Sequence, residues 1–311
     1  MISLEHVTKK YGHTVALREV SLETEKGKIT GLLGRNGAGK TTALNLMTGY
    51  LPPTEGRVLV DGMDMLTHPR ECKRRIGYLP ERPPLYDEMT VRDYLKFVCD
   101  LREVLPREKG RHTEEIMGIC SLEKVKDRVI GHLSKGYRQR VGIAQALCGN
   151  PDVLILDEPT VGLDPGQVVE MRELIRALGR EHTIIFSSHI LSEVQQLCDT
   201  AAVLHEGRLI RFFNLKNTEG DGRIRLRVSV LGKEKDLLPA IRSIACVQRT
   251  ETLPSQEQGV TELRIIGKPG DERGRMTDQL FHLLAAMDAP LRQMTPEKDD
   301  LEAAFLEATA E

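Results

Sequence analysis

The sequence predicts an α/β fold, with a large domain built on a mostly parallel sheet and a small α+β domain after it. Three observations lead there. Apolar runs of strand length alternate with helix-spaced segments over residues 1–215. Within that stretch a glycine-rich loop, residues 34–42, joins an apolar strand to a helix. Beyond residue 221 the order becomes β-α-β-β-α-β plus a final helix, which is the split βαβ arrangement of ferredoxin-like domains.

In order along the chain, strands are read at 2–7, 16–22 and 28–33, the last a buried run ending in glycine. A helix follows from Lys40 to about Gly49, then a strand-turn-strand whose first strand is 56–60 and whose turn is Asp61-Gly62. Residues 69–76 and most of 90–150 carry helical spacing, strongest at 91–102, 111–121 and 136–149, and the 90–150 segment reads as a helical subdomain beside the sheet. A continuous apolar strand at 153–156, a helix at 166–178, a strand at 183–187, a helix at 190–198 and strands at 201–204 and 208–211 complete the first domain. Polar residues and glycines at 214–222 read as a linker. The second domain is then strand 223–231, helix 234–244, strands 245–252 and 259–266, helix 272–287, strand 290–294 and helix 297–308.

Composition narrows the function class. The chain has 311 residues, 44 basic against 46 acidic, and a formal net charge of -2. No whole-chain field recruits nucleic acid or an anionic membrane. The six cysteines contain no CxxC pair, which is a reduced cytosolic pattern and not a disulfide framework. The N-terminus lacks the apolar core of a signal peptide. The longest apolar runs fall far short of the ~20 residues that span a bilayer, so work at a membrane requires another chain to supply the spans.

Three motifs carry chemistry. Gly34-Arg35-Asn36-Gly37-Ala38-Gly39-Lys40-Thr41-Thr42 fits G-x-x-x-x-G-K-[ST] between a strand and a helix, the context a phosphate-binding P-loop requires. Its glycines let backbone N–H groups curl around phosphates, the helix N-terminus adds orphan donors, Lys40 reaches the β- and γ-phosphates, and Thr41 offers a hydroxyl to Mg²⁺. Asp157-Glu158 follows the apolar strand 153–156, at the strand end where α/β sheets bind ligands. Asp157 is placed to hold Mg²⁺ and Glu158 to orient and deprotonate water. On its own that pair reads as a strand-end surface pair; the glycine loop gives it meaning. Ser134 and Gly136 open a helix, and Ser134 alone reads as its N-cap.

Together these motifs resemble the ATP-binding subunits of ABC transporters over residues 1 to about 215. The glycine loop resembles the family's Walker A, Asp157-Glu158 its Walker B, and Leu133-Ser134-Lys135-Gly136-Tyr137 its signature sequence, with Lys135 and Tyr137 as departures. Gly162-Leu163-Asp164 resembles the D-loop, His189 the switch histidine, and Tyr11 the aromatic that stacks on adenine. Where the family carries a glutamine, this chain has Glu81, which keeps a metal ligand but loses the amide donor. The Pro80-Glu81 variant, the Lys-Gly signature and the tail at 299–306 resemble the drug, polysaccharide and gliding-motility exporter branch.

The resemblance implies a P-loop NTPase fold with an ABC-type helical subdomain, and ATP hydrolysis with Mg²⁺ as cofactor. Glu158, His189 and Lys40 take the catalytic roles. Tyr11, Gly34, Asn36, Gly37, Ala38, Gly39, Lys40, Thr41 and Thr42 hold nucleotide, joined by Ser134, Gly136 and Asp164 in the dimer. Thr41, Asp157 and Glu81 hold the metal. The implied partners are an integral membrane permease and a second nucleotide-binding subunit, with no nucleic acid, at the cytoplasmic face of the membrane. Residues 83–94, with two prolines and with Leu85 and Tyr86 read as exposed, are the expected docking loop. Residues 221–311 lack catalytic spacing and read as an accessory domain. Two alternatives stand beside this reading: a soluble ATPase of the same type acting on nucleic acid or ribosomes, and a regulatory module that holds ATP without turnover. The absence of tandem domains or coiled-coil inserts argues against the first, and intact Glu158 and His189 against the second.

Overall fold

The computed structural model describes residues 1–215, 224–255, 257, 259–268 and 273–296, in two compact units. The first, residues 1–215, is two sheets with helices. An antiparallel sheet has the order β2-β1-β4-β5, from β1 (Ile2–Tyr11), β2 (Thr14–Glu23), β4 (Glu55–Val60) and β5 (Met63–Asp64). The larger sheet has the order β10-β9-β3-β8-β7-β6, from β3 (Ile29–Leu33), β6 (Ile76–Leu79), β7 (Val153–Asp157), β8 (Thr183–Ser188), β9 (Thr200–His205) and β10 (Arg208–Asn214). All its pairs are parallel except the β9–β10 edge. Strands β3, β7 and β8 are buried at every residue, which is why their sequences are continuous apolar runs without alternation.

Helix α1 (Lys40–Met47) lies in the core shared by both sheets. Its Ala43, Leu44, Leu46 and Met47 are no more than 1% exposed and belong to one cluster with Ile2, Leu4 and Val7 of β1 and Leu32 of β3. That packing fixes the loop at the helix's N-terminus. Helices α2 (Pro69–Arg74), α3 (Val91–Leu101), α4 (Pro106–Ile119), α5 (Lys135–Leu147), α6 (Pro165–Leu178) and α7 (Leu191–Leu197) complete the unit. Thr90 caps α3 by accepting from Asp93 N–H at 3.2 Å, and Asp164 caps α6 by accepting from Gln167 N–H at 2.9 Å with Pro165 at the first position.

The structure adds one strand that the sequence pattern does not announce. Residues 76–79 form β6, paired in parallel with β7 at the edge of the large sheet. The interrupting Gly77 hides it from an apolar count, yet the glycine is what lets α5 close over the strand. A Cβ there would stand 2.0 Å from the Ala146 carbonyl oxygen and 2.8 Å from Leu154 Cδ2.

The second unit contains β11 (Arg225–Leu231), α8 (Glu234–Arg242), β12 (Val247–Leu253), β13 (Val260–Gly267), α9 (Arg273–Ala286) and β14 (Leu291–Pro296). Its sheet order, β12-β13-β11-β14, with every pair antiparallel, is that of the ferredoxin-like split βαβ arrangement. Leu226, Val228 and Val230 of β11 and Leu263 and Ile265 of β13 alternate inward against Leu237 and Ile241 of α8 and Met276, Leu280 and Leu284 of α9. The helix read at 297–308 and the tail at 299–306 lie outside the described residues. Among the described residues no helix is long and apolar enough to cross a membrane.

Gly77→Ala forces α5 away from β6 at a site with no flexible neighbour to yield. It costs about 1–3 kcal/mol, read as a lowered urea midpoint with the denaturant slope unchanged.

Candidate active site

The C-terminal ends of β3, β7 and β8 deliver three loops to one place. After β3, residues 34–39 turn into α1. Gly39 is the N-cap residue at φ 103°, and a Cβ on it would meet Leu17 Cδ2 at 2.7 Å and the Ala16 carbonyl oxygen at 2.9 Å, so no other residue fits. The first backbone bond into the helix is Ala43 N–H to the Gly39 carbonyl at 2.9 Å. The N–H groups of residues 40–42 therefore have no partner within their own helix, and they point where the helix dipole is positive. Lys40 folds back over this loop, donating to the carbonyl oxygens of Gly34 at 2.7 Å and Arg35 at 3.3 Å.

After β7, Asp157 and Glu158 diverge. Asp157 ends the strand and is 2% exposed, accepting from Ser187 Oγ at 2.6 Å. Glu158 leaves the strand in the left-handed region at φ 47°, which costs a non-glycine residue about 1–2 kcal/mol. Its backbone N–H donates to Ser187 Oγ at 2.9 Å, and its carbonyl accepts from Val161 N–H at 3.2 Å. This turn aims the carboxylate at the loop after β3: Glu158 Oε1 is 3.4 Å from Lys40 Nζ, and Oε2 is 2.9 Å from His189 Nδ1. The carboxylate accepts, so Nδ1 carries the hydrogen. Lys40 and Glu158 form a buried ion pair, with side chains 6% and 9% exposed.

Lys40, Glu158 and His189 line a cavity of about 670 Å³, whereas the buried Asp157 is not part of its lining. Asn36, Gly37, Gly39, Lys40, Thr41, Thr42, Glu81, Glu158 and His189 line it, so the structure brings together most of the residues singled out from the sequence. Arg35 of the same glycine loop lines it too. Thr14, Val15, Ala16, Arg18, Glu206 and Gly207 line it as well, and sequence reading missed them because they come from β2 and from the turn before β10, far from any motif. Tyr11 is not part of that lining. It ends β1, 46% exposed, opposite the lining residue Thr14, with Lys9 Nζ 5.4 Å from its ring centre. Gly34 and Ala38 support the loop from behind: a Cβ on Gly34 would meet the Leu204 carbonyl oxygen at 2.6 Å, and Ala38 is 5% exposed.

Ser134, Gly136 and Asp164 stand elsewhere. Ser134 and Gly136 line a separate cavity of about 570 Å³ between α5 and α6, together with Leu163 and Gln167. The cap bond from Tyr137 N–H to Ser134 Oγ is long, 3.5 Å, and Asp164 is occupied as the α6 cap. Lys135 reaches the D-loop-like turn, where its ammonium would lie 2.1 Å from a Cβ on Gly162. The loop 83–94 also differs in one respect from the sequence reading. Tyr86 is 47% exposed, but Leu85 is half-buried, because Tyr86 packs on Tyr94 and Phe97 of α3 at 5.8 and 5.5 Å and draws the loop inward.

The charge balance around the first cavity fits a magnesium nucleotide. Burial pushes the Asp157 carboxyl up, and the charges of Glu158 and Glu81 push the same way. The Ser187 hydrogen bond and Lys40 only partly offset them. Tyr78, half-buried near Asp157, is pushed up to about 12 by burial and by that carboxylate. Among the described residues no three acidic, histidine or cysteine side chains could by themselves hold a metal. Magnesium ordinarily takes one or two carboxylates plus substrate phosphates and waters, which is the donor set that Thr41, Asp157 and Glu81 offer.

The comparisons agree with this geometry. The family description "ABC transporter" matches residues 17–161. The bacitracin transport ATP-binding protein BcrA of Bacillus licheniformis is 39% identical over 212 residues, covering 68% of this chain and 68% of that protein. The ABC transporter ATP-binding protein NatA of Bacillus subtilis is 43% identical over 197 residues, covering 63% of this chain and 80% of that protein. The chain belongs to the ATP-binding proteins of ABC transporters. Among solved structures, the dimeric bacterial ABC transporter cassette MJ0796 superposes with a TM-score of 0.64 at 26% identity, over 70% of this chain and 100% of that one. As an ABC transporter ATPase, the chain binds and hydrolyses ATP, and the cavity at the ends of β3, β7 and β8 is its candidate site.

Asp157→Asn separates stability from metal binding. A raised carboxyl pKa in the folded state favours folding at low pH, and that contribution is lost as pH rises through the folded value. Above that folded value the ionised, buried Asp157 opposes folding, so the Asn variant melts higher without nucleotide, and the gain shrinks on acidification into the ordinary carboxylate range. On the expected role of Asp157 toward the metal, the same variant also weakens apparent Mg²⁺ affinity, read by Mg²⁺ titration of the ATP-induced rise in Tm.

Proposed function

We propose that this protein powers export through a separate integral membrane permease, as a pair of nucleotide-binding domains that close on Mg-ATP. The carrying observation is the convergence of Lys40, Glu158 and His189 within 3.4 Å in the loop-lined cavity. Residues 1–215 act as the nucleotide-binding domain, with the helical subdomain at about 90–150, and 221–311 act as an accessory domain that stabilises or tunes the dimer. Kinship with a bacitracin transport protein supports a role in transport, and export is inferred from the resemblance of Pro80-Glu81 and the Lys-Gly signature to the exporter branch. The protein then sits peripherally at the cytoplasmic membrane face.

In this mechanism the loop amides and Lys40 hold the β- and γ-phosphates. Thr41, Asp157 and Glu81 would hold Mg²⁺, which neutralises charge developing on the phosphates. Lys40 exchanges its contact with Glu158 for phosphate oxygen, leaving Glu158 Oε1 to a water. Glu158 takes a proton as the water oxygen bonds to the γ-phosphorus and the bond to the β-phosphate oxygen breaks, giving ADP and phosphate. His189 keeps Oε2 in place. Ser134, Gly136 and Asp164 lie on a different surface from this cavity, which suits a role toward the nucleotide of a second copy across an isologous interface. Tyr11, beside Thr14 at the cavity edge, serves the adenine.

The loop 83–94 is suited to carry motion to the permease. It follows Glu81 and is tied to the Ser134 helix by Arg138 to Asp87 at 2.6 Å. Leu85→Asp with Tyr86→Asp abolishes assembly with the permease and spares ATP binding. Unchanged assembly, measured by co-purification in detergent, removes the loop from the interface.

Glu158→Gln tests the site itself. It lowers turnover by about 10²–10⁴ while ATP binding survives, and it accumulates an ATP-dependent dimer on size exclusion that ADP does not support. Lys40→Ala loses nucleotide and stays monomeric, and Ser134→Arg binds ATP without dimerising. Wild-type hydrolysis by Glu158→Gln rejects the assignment.

A further inference from the structure

We infer that Glu193 is a positioning residue for hydrolysis, holding the Glu158 turn and the His189 turn in register by accepting a hydrogen bond from each; this rests on the reading of Glu158 and His189 given above. Glu193 lies in the first turn of α7 and is 3% exposed. Its Oε2 accepts from Thr160 Oγ1 at 2.9 Å and from Ser188 Oγ at 2.8 Å. Thr160 stands two residues after Glu158 and is 4% exposed; Ser188 immediately precedes His189 and is fully buried. One oxygen atom thus bridges the two segments whose next functional groups meet in the 2.9 Å contact between Glu158 and His189.

A first-turn acid usually complements the helix dipole from the surface, where it is solvated. Glu193 has given up that solvation, and burying a carboxylate is unfavourable unless hydrogen bonds compensate it. Here one compensating donor, Thr160, comes from the turn after Glu158 and the other, Ser188, from the end of β8 just before His189, and neither from α7 itself. The Ser188 hydroxyl also accepts from Ile190 N–H at 3.0 Å, so the tie fixes backbone on both sides of His189. Ser187 makes a parallel tie, joining Asp157 and the Glu158 N–H. Ser187 anchors the end of β7, whereas Glu193 anchors the chain after the left-handed turn. Glu158 stays in its strained conformation because it is held from both directions.

The loss is therefore specific to turnover. Misplacing a reacting group by about 1 Å costs up to ~10²-fold in rate, whereas Lys40 and the loop after β3, which bind the nucleotide, do not touch Glu193. The test is steady-state ATPase kinetics with thermal melting on the full chain. Glu193→Ala lowers kcat about 10- to 100-fold with KM for ATP within about twofold of wild type. Glu193→Gln, whose amide oxygen still accepts both hydroxyls, recovers most of that rate. Thr160→Val removes one donor at constant volume, falls between the two, and carries the test if Glu193→Ala does not fold. In a Glu158→Gln background, Glu193→Ala adds little further loss, since it acts through the same group.

Wild-type kcat in Thr160→Val and in folded Glu193→Ala overturns the inference. So does Glu193→Gln as slow as Glu193→Ala, or a loss that multiplies fully in the Glu158→Gln background. If Glu158→Gln itself turns over at the wild-type rate, the underlying reading fails and this inference goes with it. If Glu158→Gln is slow while the Glu193 and Thr160 variants are not, only this inference fails.

Discussion

Everything functional in this fold depends on where the chain goes after Asp157. A strand continued in register would send residue 158 away from its neighbour into the sheet's flank. A single left-handed residue redirects it, so that one buried carboxylate meets a lysine from the loop after β3 and a histidine from the end of β8. The cost of that conformation, about 1–2 kcal/mol, is met by the Ser187 hydroxyl at the adjacent strand end and by the Glu193 carboxylate of α7, which accepts from Thr160. A parallel sheet suits this, because it places the ends of β3, β7 and β8 side by side, where short loops can interact without long arms.

The second constraint is charge. Asp157, Glu158 and Glu81 bring negative charge to the site beside Lys40, and the Asp157 carboxyl is pushed up first by burial and then by its two acidic neighbours. On the proposed reading, Mg²⁺ relieves that repulsion. The nucleotide phosphates add negative charge of their own, so they arrive with the metal. Glu81 replaces an amide with a carboxylate at the cavity wall, which increases the need for a counter-ion.

Much of this was legible in the sequence, for reasons of range. The phosphate loop is a contiguous motif whose glycines, lysine and threonine act through their own backbone, so Gly34 to Thr42 could be read directly. Asp157-Glu158 was equally local, although the turn that separates their roles was not, because nothing in the letters marks Glu158 as left-handed. Strand β6 escaped because Gly77, placed for the approach of α5, interrupts its apolar pattern. Leu85 reads as exposed because proline-flanked loops usually are, and the packing of Tyr86 on Tyr94 and Phe97 that draws it in appears only once α3 folds against the loop. Ser187 and Glu193 were invisible as site residues, since a serine at a strand end and an acid in a helix's first turn have ordinary local explanations. Only the three-dimensional meeting of β7, β8 and α7 gives them another.

The most direct test is a crystal structure of the protein with Mg²⁺ and a non-hydrolysable ATP analogue, reading the position of Lys40 Nζ. The account predicts that Nζ leaves Glu158 and lies within hydrogen-bond distance of β- and γ-phosphate oxygens. The Glu158 carboxylate then faces the γ-phosphate, and its contact with His189 persists. Phosphates bound away from the loop at 34–42, with Lys40 still paired to Glu158, would contradict it.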